Sequence, residues 1–545
     1  MSSSTLVRGT AILTIGLFLS KALGLLYLIP LYAIVGKESM GLYQYAYIPY
    51  NLALSIAISG APLAVSKYVS KYSALGDYQT GHRLMKSGMA IMVATGLISF
   101  ITLYFLATPI AEVVRQDDEQ IYTVEQISSV IRWVSFALLV VPIMSIIRGF
   151  FQGHQKMEPT AVSQLVEQIV RVIVVLAGAS FVIYFMKGSP EMAINFAVFA
   201  AFIGALAGLL VLYRYWLSFK PAYQRMLETS IDPEEKVSFF SMYKELIGYL
   251  IPFILVGVIN PLYQFVDMLT FNEAMASIGL ASVSDVYLGM LNLLTHKFVM
   301  VPVMVATGFS MALIPVMTSY YTSGNHKGLI RSLDQTFQLM MFFMLPMVIG
   351  IMLLSTELYT FLYEYDEAGA FILKNYVPVA ILFGLFTVTA AILQGIDRHK
   401  WIVFTGLLGL LFKLVLNIPL IQHFETQGAI LATAIGYSVA VGINLIVITK
   451  TLRYDSKDIV KRFGMMIVIN IAMIAAVYAT MKGLYVFGVP YGRFQAFVYS
   501  MVGALVGAIV YGWLSLKTGL AQDLLGPRLD RWLEKLNRLK KRIFR

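Results

Sequence analysis

A predominantly apolar run of roughly 20 residues or more recurs fourteen times along this 545-residue chain. A run of that length crosses the ~30 Å hydrocarbon core of a bilayer as an α-helix. The expectation is therefore an all-α integral membrane protein with fourteen transmembrane helices, near 6–35, 41–66, 87–109, 126–147, 160–186, 191–213, 246–270, 285–318, 332–356, 373–393, 401–421, 427–449, 463–481 and 494–516. Composition agrees: 58% of residues are hydrophobic and only 13% charged. The first run is far longer than a signal-peptide core, so it reads as a membrane helix rather than a cleaved leader. With no cysteine in the chain, disulfides, cysteine-ligated zinc and thiol catalysis are excluded. The six histidines show no metal-ligand spacing.

The net charge of +11 raises nucleic acid as a partner, but the placement of the charges speaks for a membrane instead. With the N-terminus cytoplasmic, the inner segments hold 30 of the 41 lysines and arginines. The outer segments hold Lys37, Arg115, Arg132, Lys187, Lys374, Lys482 and Arg493, together with the acidic clusters at 117–119 and 364–367. This is the positive-inside pattern, and a miscounted helix would scramble it. It predicts a multi-pass membrane protein with both termini cytoplasmic.

A degenerate repeat is visible. Gln152-Gly153, Lys156 and Arg171 recur as Gln394-Gly395, Arg398 and Lys413, offset by 242. Gly60, Ala64, Tyr72, Gly76 and Arg83 recur as Gly308, Ala312, Tyr320, Gly324 and Arg331, offset by 248. Six helices separate the copies, so the two lobes enter the membrane in the same sense, as a parallel pseudo-two-fold repeat. The expected organisation is an N-lobe at 1–214, a cytoplasmic linker at 215–243, a C-lobe at 244–453, two further helices at 454–517, and a tail at 518–545. The linker mixes Asp232, Glu234, Glu235 and Lys236. The tail interleaves Leu529, Trp532, Leu533 and Leu536 with Arg528, Arg531, Lys535 and Arg538, the pattern of an amphipathic helix on anionic membrane lipids.

Four cations fall near the middle of apolar runs, Lys21, Arg171, Lys297 and Lys413, against one carboxylate, Glu167. A charge at the bilayer midplane costs at least a few kcal/mol, so such residues usually line a wet cavity and serve a function. Two belong to each lobe, which would let them converge on a central cleft. Their excess positive charge calls for an anionic ligand with compact charge, such as a diphosphate. Glu167 precedes Arg171 by one turn, so that pair is either neutralised structure or part of the site. Asn417, one turn after Lys413, is a hydrogen-bonding support. His296 adjoins Lys297 but points about 100° away around the helix. Asp267 is either an interfacial carboxylate or a site for ion or proton coupling.

The chain resembles the multidrug/oligosaccharidyl-lipid/polysaccharide exporter superfamily, and within it the MurJ-type lipid II flippases of the Gram-positive branch. The resemblance rests on Leu19-Ser20-Lys21-Ala22-Leu23-Gly24, on Pro49-Tyr50-Asn51-Leu52 followed by Gly60-Ala61, and on Lys297 five residues before Pro302. It implies transport of undecaprenyl-diphosphate-linked disaccharide-pentapeptide to the outer leaflet by alternating access. Lys21 and Lys297 then occupy the places of the motif arginines. The arginine and aspartate that many relatives carry after the first motif stand here as Tyr27 and Leu28, the helix-2 arginine pair is absent around Ala53 to Ser55, and helix 11 lacks the carboxylate of a sodium site.

A cationic site fits any polyprenyl-diphosphate glycan, so teichoic acid, capsule or sporulation polysaccharide precursors remain alternatives. A membrane glycosyltransferase is the competitor from another class, with only the acidic cluster at 117–119 to offer for catalysis. No phosphate-binding loop is present and no cofactor is implied. Coupling to an ion gradient or to the membrane potential is compatible with the chain, as is association with the cell-wall synthesis machinery.

Overall fold

The computed structural model describes residues 16, 19–20, 22–24, 26–58, 60–231, 239–453 and 457–526. Lys21, the linker charges at 232–236 and the basic tail from 527 onward lie outside the described residues. Among those described, regular structure is helical and no strand occurs.

The first half of the chain forms α1 (Leu28–Ile58), α2 (Ala61–Ala74), α3 (Tyr78–Val114), α4 (Val124–Ser135), α5 (Val141–Gly153), α6 (Glu158–Ser180), α7 (Pro190–Glu228), α8 (Phe239–Ser277) and α9 (Ala281–Gly289). The second half forms α10 (His296–Thr322), α11 (His326–Leu353), α12 (Ser355–Leu362), α13 (Glu367–Tyr376), α14 (Val379–Gly395), α15 (His399–Phe424), α16 (Thr426–Leu452), α17 (Lys457–Leu484), α18 (Arg493–Lys517) and α19 (Leu520–Leu525). Twelve helical stretches among the described residues are long and apolar enough to cross a membrane.

Local chemistry sets the breaks. Within α1, Gly36 adopts φ 80° and ψ 171°, a left-handed backbone that only glycine takes without strain, and the helix turns there. Asp77 starts α3 by accepting from Thr80 N, and Thr123 and Gln126 form a reciprocal capping box at the start of α4. Prolines sit in the first turn of α5, α6 and α7, where their missing N–H costs nothing.

By its contacts the chain divides into two compact units, residues 1–293 with 417–425, and residues 294–416 with 426–545. The first has a core around Tyr68, Met144, Phe150, Phe151 and Phe219. The second has one around Phe342, Leu345, Met466, Ile469 and Met473. Polarity is inverted relative to a water-soluble fold. On α15, Leu411, Leu414 and Val415 are 56%, 53% and 61% exposed while Lys413 between them is fully buried. Charged heads turn inward and hydrocarbon turns outward, as expected of helices solvated by lipid.

The segments that carry the sequence repeat share local geometry. After α5, Gln155 has φ 58° and Lys156 N donates to Phe151 O at 2.9 Å. After α14, Asp397 has φ 58° and Arg398 N donates to Leu393 O at 2.7 Å. In each case the glycine before the turn packs close: a Cβ on Gly153 would lie 2.7 Å from Val69 Cβ, and one on Gly395 would lie 2.5 Å from Met317 Cβ.

Candidate functional site

In the first unit, the buried charge is a three-membered group rather than the pair read from sequence. Glu167 on α6 accepts from Arg171 Nη2 at 2.6 Å through one oxygen and from Arg148 Nη2 at 2.9 Å through the other. Arg148 Nε also donates to Ser163 Oγ at 3.0 Å. Small residues of α7 bring the helices together here. A Cβ on Gly204 would stand 2.8 Å from the Glu167 carbonyl oxygen and 3.0 Å from Arg171 Cβ. The group carries one net positive charge. Arg148 adds to the sequence reading: it directly follows the fourth apolar run, which ends at 147, and is not among the cations singled out there, yet it is only 9% exposed.

Beside Arg171 lies a cavity of about 60 Å³, lined by Tyr27, Tyr43, Tyr47, Tyr50 and Gln168, with Gly24 and Ala201 leaving the space. The Tyr27 and Tyr43 hydroxyls are hydrogen-bonded at 2.8 Å. At ~10–15 Å³ per water the cavity holds a few waters, so a headgroup would reach Arg171 only when this space opens. Sequence offered no signal for this ring, because tyrosine is common throughout the chain, with 32 copies.

A second polar cluster in this unit was also missed. Asp285, fully buried on α9, accepts from the Tyr45 hydroxyl, from Gln120 Nε2 at 3.3 Å, from Asn272 Nδ2 at 3.2 Å and, through its other oxygen, from Ile121 N at 3.0 Å. It ties α1, α8, α9 and the segment after α3 together. Its position as the first residue of an apolar run gave it the appearance of a helix-end charge. Asp267 on α8 is 5% exposed and accepts from Asn417 Nδ2 at 3.1 Å. The same Asn417 amide donates to Thr270 Oγ1 at 2.7 Å.

In the second unit, Lys413 Nζ donates to Ala429 O at 2.9 Å and to Thr433 Oγ1 at 2.8 Å, both on α16. Lys297 is half-buried in the first turn of α10. Its neighbour His296 is buried, with Nδ1 2.9 Å from the Tyr376 hydroxyl and its ring against Phe383. His296 is thus packed into the wall formed by α13 and α14. Among the described residues no group of histidine and acidic side chains is arranged to hold a metal ion. The guanidinium, ammonium and hydroxyl donors of these groups, held in a low-dielectric interior, suit an anion.

Comparison with known proteins follows the same line. Residues 6–321 match the polysaccharide biosynthesis protein family, and residues 252–421 match the MatE family. The chain is 44% identical over 540 residues to the lipid II flippase MurJ of Bacillus subtilis (strain 168), covering 98% of this chain and 99% of that one. It is 25% identical to the stage V sporulation protein B of the same organism, over 84% of this chain and 86% of that one. In fold it is similar to a solved lipid II flippase MurJ in an inward closed conformation, with TM-score 0.65 and 16% identity over 94% of this chain and all of that one. It is also similar to an inward-facing multidrug resistance MATE transporter, with TM-score 0.57 and 14% identity over 83% of this chain and 95% of that one. This multi-pass membrane chain belongs to the MurJ family, within the multidrug/oligosaccharidyl-lipid/polysaccharide exporter superfamily.

Proposed function

We propose that the chain is a lipid II flippase, a transporter rather than an enzyme, which moves the undecaprenyl-diphosphate-linked peptidoglycan precursor from the inner to the outer leaflet by alternating access. The observation that carries this reading is the 44% identity to a MurJ over essentially the full length of both chains. The diphosphate is bound by Lys21, Arg171, Lys297 and Lys413, with Glu167, Asn417 and His296 in support and Asp267 in ion or proton coupling. The burial of Lys413 and the net positive charge of the Arg148–Glu167–Arg171 group support a cationic site.

The architecture proposed with it has fourteen crossings. The helix at Phe239–Ser277 adds one to the twelve stretches, and the run at 6–35, which the Gly36 turn separates from the run at 41–66, adds another. The first twelve form two lobes in a parallel repeat, a reading supported by the matched turns at Gln155 and Asp397. Both termini are cytoplasmic, on the distribution of basic residues. Work on the substrate at the membrane surface also brings the protein near the cell-wall synthesis machinery.

The test is reconstitution of the chain alone into proteoliposomes, with an imposed potential or ion gradient, followed by the accessibility of lipid II in each leaflet. Translocation above protein-free vesicles supports the reading. Translocation of a teichoic acid or capsule precursor instead, with lipid II left behind, overturns it.

A further inference from the structure

The longest apolar helical stretch among the described residues, Ala281–Thr322, is not one uninterrupted α-helix. Between α9 and α10, Met290–Thr295 form a single π turn. Such a turn carries one residue more than an α turn, disturbs the regular ladder of backbone hydrogen bonds, and is a recognised cause of helix bending. Two side chains from other helices reach its carbonyls. Gln264 on α8 donates through Nε2 to Asn292 O at 3.1 Å, and Asn292 Nδ2 returns a bond to Gln264 O at 3.5 Å. The Tyr363 hydroxyl, immediately after α12, donates to Leu294 O at 3.3 Å.

The extra residue decides where Lys297 points. Each residue of an α-helix turns the chain by about 100°, so without the π turn Lys297 would face that much further around the helix from α9. The helices on either side are anchored separately. α9 is held by the four donors to Asp285 and by Gly289, on which a Cβ would lie 2.8 Å from Gly41 Cα. α10 is held at His296, against Tyr376 and Phe383. The division of the chain into two compact units falls between Leu293 and Leu294, inside the π turn. Gln264 and Asn292 belong to the first unit, Tyr363 and Leu294 to the second. A helix anchored in one unit before a π turn and in another after it bends at that turn, where its own hydrogen bonding is weakest.

We propose that the π turn is the hinge on which α10, and Lys297 with it, moves relative to α9 during transport, and that Gln264 and Tyr363 are the positioning residues that hold it in the present conformation. Each gives up a hydrogen bond to a main-chain carbonyl when the turn rearranges, so the two act in the same direction, one from each unit. The proposal rests on the alternating-access reading but not on the identity of the cargo. It is read by distance and not by transport, so its failure and a failure of lipid II translocation are separate results.

The chain has no cysteine, so two can be introduced for spin labels without background. Phe105→Cys on α3 and Phe371→Cys on α13 place one label on an exposed position of each unit. The experiment is double electron–electron resonance on the full chain in lipid nanodiscs. Gln264→Leu and Tyr363→Phe should each change the ratio of the distance populations about fivefold, and in the same direction, as loss of one net hydrogen bond predicts. Thr405→Val, which removes a buried hydrogen bond to Asn444 between α15 and α16, should leave the ratio as in wild type. Deletion of Leu293 makes the helix regular, keeps Lys297 on its face, and should leave a single distance population. Should that variant not fold, the two substitutions decide. Unchanged distances in both Gln264→Leu and Tyr363→Phe, an equal change from Thr405→Val, or two populations persisting after the deletion would overturn the proposal.

Discussion

Replacing Glu167 by Gln tests the buried charge group directly. In the wild type one carboxylate serves two guanidiniums, at 2.6 and 2.9 Å, and the Arg148, Glu167 and Arg171 side chains are only 11%, 13% and 19% exposed. The substitution leaves two buried cations facing a neutral amide. Removing one partner of a buried ion pair costs about 3–5 kcal/mol, because the survivor stays desolvated and uncompensated. Here two survivors are left, but the glutamine carbonyl still accepts one hydrogen bond, so the expected loss is about 3 kcal/mol. Arg148→Met should cost less, about 1–2 kcal/mol, because it leaves the neutral Glu167–Arg171 pair intact. The double variant should then be more stable than Glu167→Gln alone, since one stranded cation remains instead of two. Equilibrium unfolding of the three variants in mixed micelles measures all of this. A loss below 1 kcal/mol for Glu167→Gln, or a double variant no more stable than it, would refute the reasoning.

Gly204→Ala should destabilise by about 1–3 kcal/mol, because its Cβ would meet the Glu167 carbonyl oxygen at 2.8 Å and the helix backbone has to shift; unfolding midpoints of the same set read it. Lys413→Met keeps the side-chain length but removes the donor to Thr433 Oγ1, while Ala429 O still accepts from the Thr433 hydroxyl at 2.9 Å, for an expected cost of about 1 kcal/mol in the same measurement. Burial among Phe150, Phe219 and Tyr223, with the charge of Lys156 next, pushes the His154 imidazole down from 6.5 to about 4. The unfolded chain then binds the proton more readily. That contribution, at most about 3 kcal/mol, is complete above pH 6.5 and lost as pH falls to 4. His154→Phe should flatten the pH dependence of stability over that window, and an unchanged slope would show that His154 does not titrate there.

The helices could be read from the sequence because lipid imposes one rule on every crossing: a long apolar run with its backbone satisfied internally. The burial of Lys413 and Arg171 could be expected for the same reason, since each lies well inside such a run. What each charge touches was not. Arg148 and Glu167 are 19 residues apart on different helices, and only the packing of α5 on α6 brings them together. Asp285 draws its donors from Tyr45, Gln120 and Asn272, across as many as 240 positions of sequence. Such contacts leave no periodicity in the chain. The turns at Gln155 and Asp397 are an intermediate case: a glycine-terminated helix followed by a residue at positive φ is local geometry, and the repeated Gln-Gly followed by a basic residue marked it in advance.

The central claim is that buried cations hold the diphosphate of a lipid-linked substrate. It is tested most directly by lipid II translocation in proteoliposomes containing wild type, Lys21→Ala, Lys297→Ala and Lys297→Arg, each shown to be folded. Loss of one charge-assisted contact of ~1.5–3 kcal/mol predicts a fall of roughly 10- to 100-fold for either alanine variant, with Lys297→Arg retaining most activity. Wild-type rates in both alanine variants would contradict the account, because transport would then not depend on these charges.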